Sequence, residues 1–287
     1  MSHRYVVIGN PVSHSLSPAI HTDFAWQTGI KLQYKKWLAP INGFENTLRA
    51  LLAAGVSGAN VTVPFKVQAA QLANHHSKTV RFAGAANTLK FVAHHDVQAE
   101  NTDGEGLCQD LADLLAHQDL SLSDVHVLLI GAGGAAQGCI LALHAHGVQT
   151  LTVFNRTLDK AQALAKQAHT IGLNASSAGL DAELPTEIEK PVVIVNASSA
   201  SLKGQVPELK SSCWQKAVLA LDMMYGLNQT PFLQAAEQAN PTIERADGLG
   251  MLVNQAALSF EFWTGVRPNA KSTLERIRQT LQLKQVT

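Results

Sequence analysis

Val125-His-Val-Leu-Leu-Ile130-Gly131-Ala132-Gly133-Gly134-Ala135-Ala136 is the stretch on which the fold of this chain turns. A short apolar run stops at a glycine, two more glycines follow at once, and an Ala-rich run continues to about His146. An apolar run bounded in this way reads as a buried strand, and the segment beyond it as a helix. Strand, tight turn and helix open a βαβ unit. Downstream the alternation continues with strands at 150–154, 192–195, 218–221 and 242–245, and with a helix reaching about 169. Upstream it breaks at the polar stretch 120–124, before which a separate series is legible. That series has strands at 5–8, 33–38, 58–63, 87–93 and 97–101, with helices beginning at Ser17 and covering 42–54, 66–74 and 104–117. Ser17-Pro18 makes a helix start, with serine as N-cap and proline in the first helical position.

The spacing predicts two α/β domains. The first holds a mostly parallel sheet over 1–104, and the second is a doubly wound unit over 105–247. Two last helices, 248–264 and 270–283, have no strand to serve in the second sheet. They are expected to pack back on the first domain, to which 248–287 returns.

Composition narrows the function classes. Of 287 residues, 46% are hydrophobic and 15% charged, ample for buried cores and far from a disordered composition. Lys+Arg and Asp+Glu both number 22, so charge supplies no reason to expect nucleic acid or an anionic membrane as partner. Cys108, Cys139 and Cys213 are far apart, which fits reduced core residues rather than disulfides or a metal site. The strand pattern begins almost at Met1, and no apolar run is long enough to span a bilayer. A soluble, cytoplasmic protein is the expectation. The 12 histidines suggest no metal site: His75-His76 and His94-His95 are adjacent pairs whose side chains diverge, and the rest lack carboxylates at ligand spacing. His14 and His21 stand apart only by their neighbours.

The Gly-rich turn fits the G-x-G-x-x-G/A form of a dinucleotide site, with Ala136 in the last place. Gly131 permits the turn, and Gly133 lets backbone approach a pyrophosphate. The helix N-terminus over Gly134 and Ala135 offers free N–H groups to phosphate. At the end of the next strand an NAD site would carry Asp or Glu; here stand Asn155, Arg156 and Thr157, with Lys160 one turn on. Those cations suit a 2′-phosphate, so NADP is the expected cofactor.

A second constellation lies in the first domain. Gly58-Ala-Asn60-Val-Thr62-Val-Pro64-Phe-Lys66 reads as an apolar strand that ends at proline and delivers Asn60, Thr62 and Lys66 to one end. Glu100-Asn101-Thr102-Asp103-Gly104 supplies a carboxylate at another strand end. Lysine beside aspartate can move a proton to or from a hydroxyl.

With these residues assembled, the chain resembles the shikimate dehydrogenase family over nearly its whole length. Gly9-Asn-Pro-Val-Ser-His-Ser15-Leu-Ser17-Pro is similar to the family's N-terminal signature, and Asn60-Val-Thr62-Val-Pro-Phe-Lys66 to its catalytic-lysine segment. Gly84-Ala-Ala-Asn87-Thr and Asn101-Thr-Asp103-Gly-Glu-Gly are similar to its asparagine and aspartate segments. Asp222-Met223-Met-Tyr225 and Asp247-Gly248-Leu-Gly-Met-Leu-Val-Asn-Gln255 resemble its closing signatures. The resemblance implies reversible reduction of 3-dehydroshikimate by NADPH, with Lys66 and Asp103 as the acid/base pair. It implies substrate contacts from Ser15, Ser17, Thr62, Lys66, Asn87, Asp103, Tyr225 and Gln255. Ser198, Met223 and Gly248 would lie near the nicotinamide, beside the phosphate-binding residues already named. The chain departs from the pattern at Asn196-Ala-Ser198-Ser199-Ala-Ser201, where Asn-Ala-Thr-Ser is usual, and at Asn74-His75-His76, where an acidic pair is common. Competing expectations are a quinate/shikimate dehydrogenase of broader cofactor use and a non-catalytic NADP-binding sensor. Monomer and homodimer both stay open.

Overall fold

The computed structural model describes residues 3–92, 96–198, 200 and 205–286. The expectations for Ala93, His94-His95, Ser199 and Ser201 lie outside the described residues. The chain divides into two compact units, Met1–Gly106 with Val253–Thr287, and Leu107–Leu252.

The first unit opens with β1 (His3–Gly9), α1 (Ser17–Thr28), β2 (Leu32–Leu38), α2 (Phe44–Ala53), β3 (Gly58–Val61) and α3 (Lys66–Leu72). Then come β4 (His75–His76), α4 (Lys78–Ala83), β5 (Thr88–Val92), β6 (Asp96–Glu100) and the start of α5 (Asp103–Ala116). The strand order is β2-β1-β3-β5-β6-β4. β1 runs parallel to β2 and β3, and β4 to β6, whereas β3–β5 and β5–β6 are antiparallel. Five of the six strands thus run the same way and β5 alone opposes them, so the sheet is mostly parallel, as expected, with one antiparallel strand. Only 93–95 separate β5 from β6, too short a link for a parallel crossover.

Two expectations are corrected in this unit. The helix predicted over 66–74 stops at Leu72, because Asn74 exchanges hydrogen bonds with Val97: its N–H donates to the Val97 carbonyl and its Oδ1 accepts from the Val97 N–H, both at 2.9 Å. Ser17 is the first residue of α1 and not its cap; Leu16 holds the cap position, and the Ser17 N–H donates to Ser15 Oγ at 3.3 Å. α4 has a capped start, Ser77 Oγ accepting from the Val80 N–H.

Alternate residues of β1 serve two cores, as the pleat requires. Val6 and Ile8 pack with Leu48, Leu51, Val61 and the stacked rings of Phe44 and Phe65, 4.9 Å apart. Tyr5 and Val7 face the other way, toward Tyr34 and Trp263, and the Tyr5 and Trp263 rings stack at 4.3 Å.

The second unit continues with β7 (His126–Ile130), α6 (Gly134–Ala145), β8 (Thr150–Phe154), α7 (Leu158–His169), β9 (Asn174–Ala178) and β10 (Val192–Asn196). It then adds α8 (Ser211–Gln215), β11 (Ala217–Asp222), α9 (Pro231–Ala239) and β12 (Glu244–Asp247). All pairs are parallel in the order β12-β11-β10-β7-β8-β9, so the winding reverses between β7 and β10. Such a switch point is where doubly wound sheets bind ligands. The last helices are α10 (Leu249–Thr264) and α11 (Ala270–Val286). In the first unit, Arg276 of α11 grips Asp23 of α1 with two bonds of 2.7 Å, and Trp263 of α10 donates to the Leu89 carbonyl at 2.9 Å.

Two buried histidines set an acid limit on stability. His126 bridges the Thr150 and Thr152 hydroxyls at 2.9 Å each, and burial, with the nearby Lys190 charge, lowers its pKa from 6.5 to about 4. His21 is fully buried, and desolvation lowers its pKa to about 3, weakly opposed by the Asn60 side chain beside it. Among the described residues, neither His21 nitrogen has a hydrogen bond of acceptable geometry. The unfolded chain protonates both near pH 6.5, before the folded protein does. Stability is thus full above that pH and falls as pH drops toward about 4 and then about 3. The expected slope is at most about 1.4 kcal/mol per pH unit for each histidine. Urea midpoints between pH 7 and 4 check this, and His126→Gln should flatten the curve; an unchanged slope would refute it.

Candidate functional site

At the C-terminal end of β3 the chain leaves the sheet through Thr62, whose N–H still donates to the Ile8 carbonyl at 2.9 Å, and turns into α3 at Lys66. Asp103 opens α5 just beyond β6. These two ends bring Lys66 Nζ to 2.6 Å from Asp103 Oδ2, with side-chain exposures of 22% and 8%. Asp103 is held from behind as well. Asn87 Nδ2 donates to its Oδ1 at 2.9 Å, and its own N–H donates to Asn101 Oδ1 at 3.2 Å. Gln255 of α10 joins the group, its Oε1 3.1 Å from Asn87 Nδ2. Lys66, Asp103, Asn87 and Gln255 thus form one hydrogen-bonded cluster: a charged pair lined by amides, able to exchange a proton with an alcohol or ketone and to bind its neighbouring hydroxyls.

The remaining expected substrate residues are placed separately. Ser15 Oγ and Ser17 Oγ lie 3.2 Å apart at the start of α1. Thr62 is half-buried, and Tyr225 lies half-buried in the second unit, just past β11. Asn60, by contrast, does not reach the strand end. Its side chain is buried, accepting from the Tyr34 hydroxyl at 2.7 Å and donating to Thr88 and Ser259 at 3.1 and 3.0 Å. Burial pushes the Tyr34 phenol well above its ordinary pKa, although Ser17 opposes this, so it stays protonated and donates. Thr102, Thr88 and Ser259 complete the layer beneath Asn87. The two threonines stand inside quoted motifs without an assigned role, and Ser259 has no signal in the sequence.

Gln255 is placed by a close helix approach. A Cβ on Gly106 would lie 2.6 Å from the Gln255 backbone nitrogen and 2.7 Å from its Cβ, distances that real contacts do not show. Gly106→Ala must push α10 off α5. It is expected to cost about 1–3 kcal/mol of stability and to raise the Michaelis constant for substrate, as thermal unfolding and steady-state kinetics would show. Full retention of both would refute the contact.

In the second unit, Gly131 ends β7 with φ +105°, a conformation that favours glycine, and a Cβ there would press within 3.1 Å of the Ser198 nitrogen. The turn and the end of β10 therefore meet at the switch point. Gly133 caps α6 with extended backbone, and among the described residues no atom beyond the adjoining backbone lies within 4 Å of where a Cβ would stand on Gly133 or Gly134. Open space before a helix N-terminus, with backbone N–H groups at Gly134 and Ala135, fits a pyrophosphate. After β8, Arg156, Thr157 and Lys160 are exposed, and Asn155 Nδ2 donates to the Thr157 carbonyl at 2.8 Å. The Thr157 side chain takes no part in capping α7.

A buried polar network, unread in the sequence, fixes the rest of this face. Asn196 Oδ1 accepts from the Ser198 N–H and hydroxyl at 3.1 and 2.7 Å, and its Nδ2 donates to Asp222 Oδ1 at 3.1 Å. Asp222 also accepts from the Thr230 hydroxyl at 2.7 Å and the Met224 N–H at 3.1 Å. The Met223 N–H donates to the Asn196 carbonyl, and the Gly248 N–H to the Met224 carbonyl, each at 3.0 Å. Ser198, Met223 and Gly248 are thereby tied to one frame. Among the described residues no group of three or more ligating side chains could hold a metal ion, and no helix is long and apolar enough to cross a membrane.

Family models match three parts of the chain: the shikimate dehydrogenase substrate binding domain over residues 7–89, shikimate / quinate 5-dehydrogenase over 114–219, and the shikimate 5′-dehydrogenase C-terminal domain over 248–281. The chain is 46% identical over 280 residues to the NADP(+) shikimate dehydrogenase of Aromatoleum aromaticum, spanning 97% of this chain and 98% of the relative. It is 45% identical over 284 residues to that of Cupriavidus pinatubonensis, spanning 97% and 95%. Among solved structures, shikimate 5-dehydrogenase of Thermus thermophilus in complex with NADP(H) and shikimate superposes with a TM-score of 0.79 at 30% identity, over 96% of this chain and 99% of that one. An Ael1 enzyme from Pseudomonas putida gives 0.83 at 35% identity, over 96% and 98%. Sequence relationship of this extent, spread over both units and the returning helices, places the chain in the shikimate dehydrogenase family.

Proposed function

We propose that the chain catalyses the reversible NADPH-dependent reduction of 3-dehydroshikimate to shikimate, a step of aromatic amino-acid (chorismate) biosynthesis. The observation that carries this reading is the Lys66–Asp103 pair, 2.6 Å apart and braced by Asn87 and Gln255. NADPH supplies the hydride when bound. Negative charge then builds on the ketone oxygen, and a proton shared within the Lys66–Asp103 pair neutralises it as it forms. At 2.6 Å the two groups share one hydrogen bond and act as one dyad.

Ser15 and Ser17 are the proposed partners of the substrate carboxylate, and their proximity to each other supports that role. Thr62, Asn87, Tyr225 and Gln255 would receive the ring hydroxyls. Gly131, Ala132, Gly133, Gly134 and Ala135 would hold the cofactor pyrophosphate. Asn155, Arg156, Thr157 and Lys160 would hold its 2′-phosphate, and Ser198, Met223 and Gly248 would flank the nicotinamide. The three cysteines are buried and form no disulfide among the described residues, in keeping with a reducing, cytoplasmic setting. Monomer and homodimer both accord with this reading.

The test is shikimate oxidation, followed at the nicotinamide absorbance with NADP and with NAD, and with quinate as the second substrate. Turnover specific to shikimate and NADP supports the proposal. Equal use of quinate or NAD would replace it with a quinate/shikimate enzyme, and tight NADP binding without turnover with a sensor.

A further inference from the structure

Beneath the proposed dyad lies a layer of hydroxyls that the reaction as described does not use. Thr88 and Ser259 are completely buried, so every proton they carry must find an acceptor inside the protein. The orientation of Asn87 follows from a backbone donor. The Thr102 N–H lies 2.9 Å from Asn87 Oδ1 and can only donate, so the carbonyl end of this amide faces it. Nδ2 then faces three acceptors, Asp103 Oδ1 and Thr102 Oγ1 at 2.9 Å each and Gln255 Oε1 at 3.1 Å.

Thr88 reinforces that choice. Its hydroxyl stands 3.0 Å from Asn87 Oδ1, to which it donates, and 2.7 Å from Ser259 Oγ. The single Thr88 proton goes to Asn87, and the Ser259 proton is shared between the Thr88 hydroxyl and the Gln255 backbone carbonyl, 3.0 Å away on the preceding turn of α10. Ser259 Oγ in turn accepts from Asn60 Nδ2 at 3.0 Å, and Asn60 Oδ1 accepts from the Tyr34 hydroxyl at 2.7 Å. A directed chain results, Tyr34 to Asn60 to Thr88 to Asn87 to Asp103, the Asn60–Thr88 link being 3.1 Å, and Ser259 braces it from the side by contacting both Asn60 and Thr88. Bonds aligned in this way polarise one another.

We propose that Thr88 and Ser259 are positioning residues, which act through Asn87 to hold Asp103 as an acceptor facing Lys66. The inference rests on the dehydrogenase reading, and its test separates the two. Thr88→Val keeps the shape of the side chain and suits a strand, and Thr88→Ser restores the hydroxyl. Thr88→Val is expected to lower kcat/KM for shikimate roughly 10-fold, mostly through kcat, with Thr88→Ser within about threefold of wild type. In an Asn87→Ala background the same Thr88→Val change should cost less than about twofold, because the residue it acts through is gone. Ser259→Ala, a change well tolerated in a helix, should show the same dependence on Asn87 and serves if Thr88→Val does not fold. Equal losses in both backgrounds, or no loss in either variant, would overturn the proposal. An inactive wild type sinks the dehydrogenase reading instead. The Asn87 side-chain amide then decides by NMR: its protons should exchange slowly in wild type and at least about 10-fold faster in Thr88→Val. An unchanged exchange rate would overturn the positioning role.

Discussion

Lys66→Ala is expected to lower kcat for shikimate oxidation by about 10³-fold, within the range of general acid–base contributions, while the NADP dissociation constant changes less than about twofold. The prediction follows from separate sets of residues: the dyad belongs to the first unit, and every proposed phosphate contact belongs to the second. Removing the ammonium also strands a carboxylate that is only 8% exposed, so a fall in unfolding temperature should accompany the loss of rate. Lys66→Met separates the two effects, since it fills the space without a transferable proton. Its rate should be as low as that of the alanine variant even if its stability partly recovers. Asp103→Asn is the complementary change. Asp103 accepts from Lys66 on one oxygen and from Asn87 on the other, and an amide can satisfy only one of them. A kcat loss of about 10²-fold is expected, together with weaker substrate binding. Retention of more than about a tenth of wild-type kcat by Lys66→Met would remove lysine from the proton-transfer step.

The parts of this molecule legible in its sequence are those where local chemistry and tertiary role agree. Val125–Ile130 into Gly131 is apolar strand, tight turn and helix start at once, and β7 and α6 fall there. Lys66 alone reads as a solvated surface charge; what singles it and Asp103 out is that each stands at the end of an apolar strand beside small polar residues, Asn60 and Thr62 in one case and Asn101 and Thr102 in the other. β9 was not readable: Asn-Ala-Ser-Ser-Ala carries neither alternation nor β-branched residues, and it is a strand because it pairs along β8 at the sheet edge. α9 did carry a signal, Thr230-Pro231, in which Thr230 accepts from the Leu233 N–H. The same threonine also donates to buried Asp222, a second role that local pattern does not reveal. Asn60 shows the opposite failure. Its spacing from Thr62 suggested a shared site, yet its amide is consumed by Tyr34, Thr88 and Ser259, contacts spread over 26 to 199 positions in the chain. Long-range pairing of this kind leaves no periodicity to read.

Cofactor choice gives the second large effect. Arg156→Ala should raise the Michaelis constant for NADPH by about 10- to 100-fold, leave kcat within about threefold and scarcely alter the weak use of NADH; charge-assisted hydrogen bonds of about 1.5–3 kcal/mol set that scale. Arg156 is exposed just after β8, and Lys160 sits in the first turn of α7. Cations are disfavoured beside the positive end of a helix dipole, and α7 keeps Asp159 in the same turn. A bound 2′-phosphate would turn that local cost into an attraction, since dianion, dipole and two cations then complement one another. The same electrostatics makes salt a diagnostic. The NADPH Michaelis constant should climb with ionic strength in wild type and climb less in Arg156→Ala, because an exposed pair is screened over about 10 Å at 0.1 M salt. Arg156→Asp goes further, placing beside the ribose the carboxylate that NAD sites use, and should bring the NADP and NAD preferences close together. If Arg156→Ala weakened NADH and NADPH equally, the arginine would be acting on the shared adenosine or pyrophosphate, and the 2′-phosphate would have to be held by Thr157 and Lys160 alone.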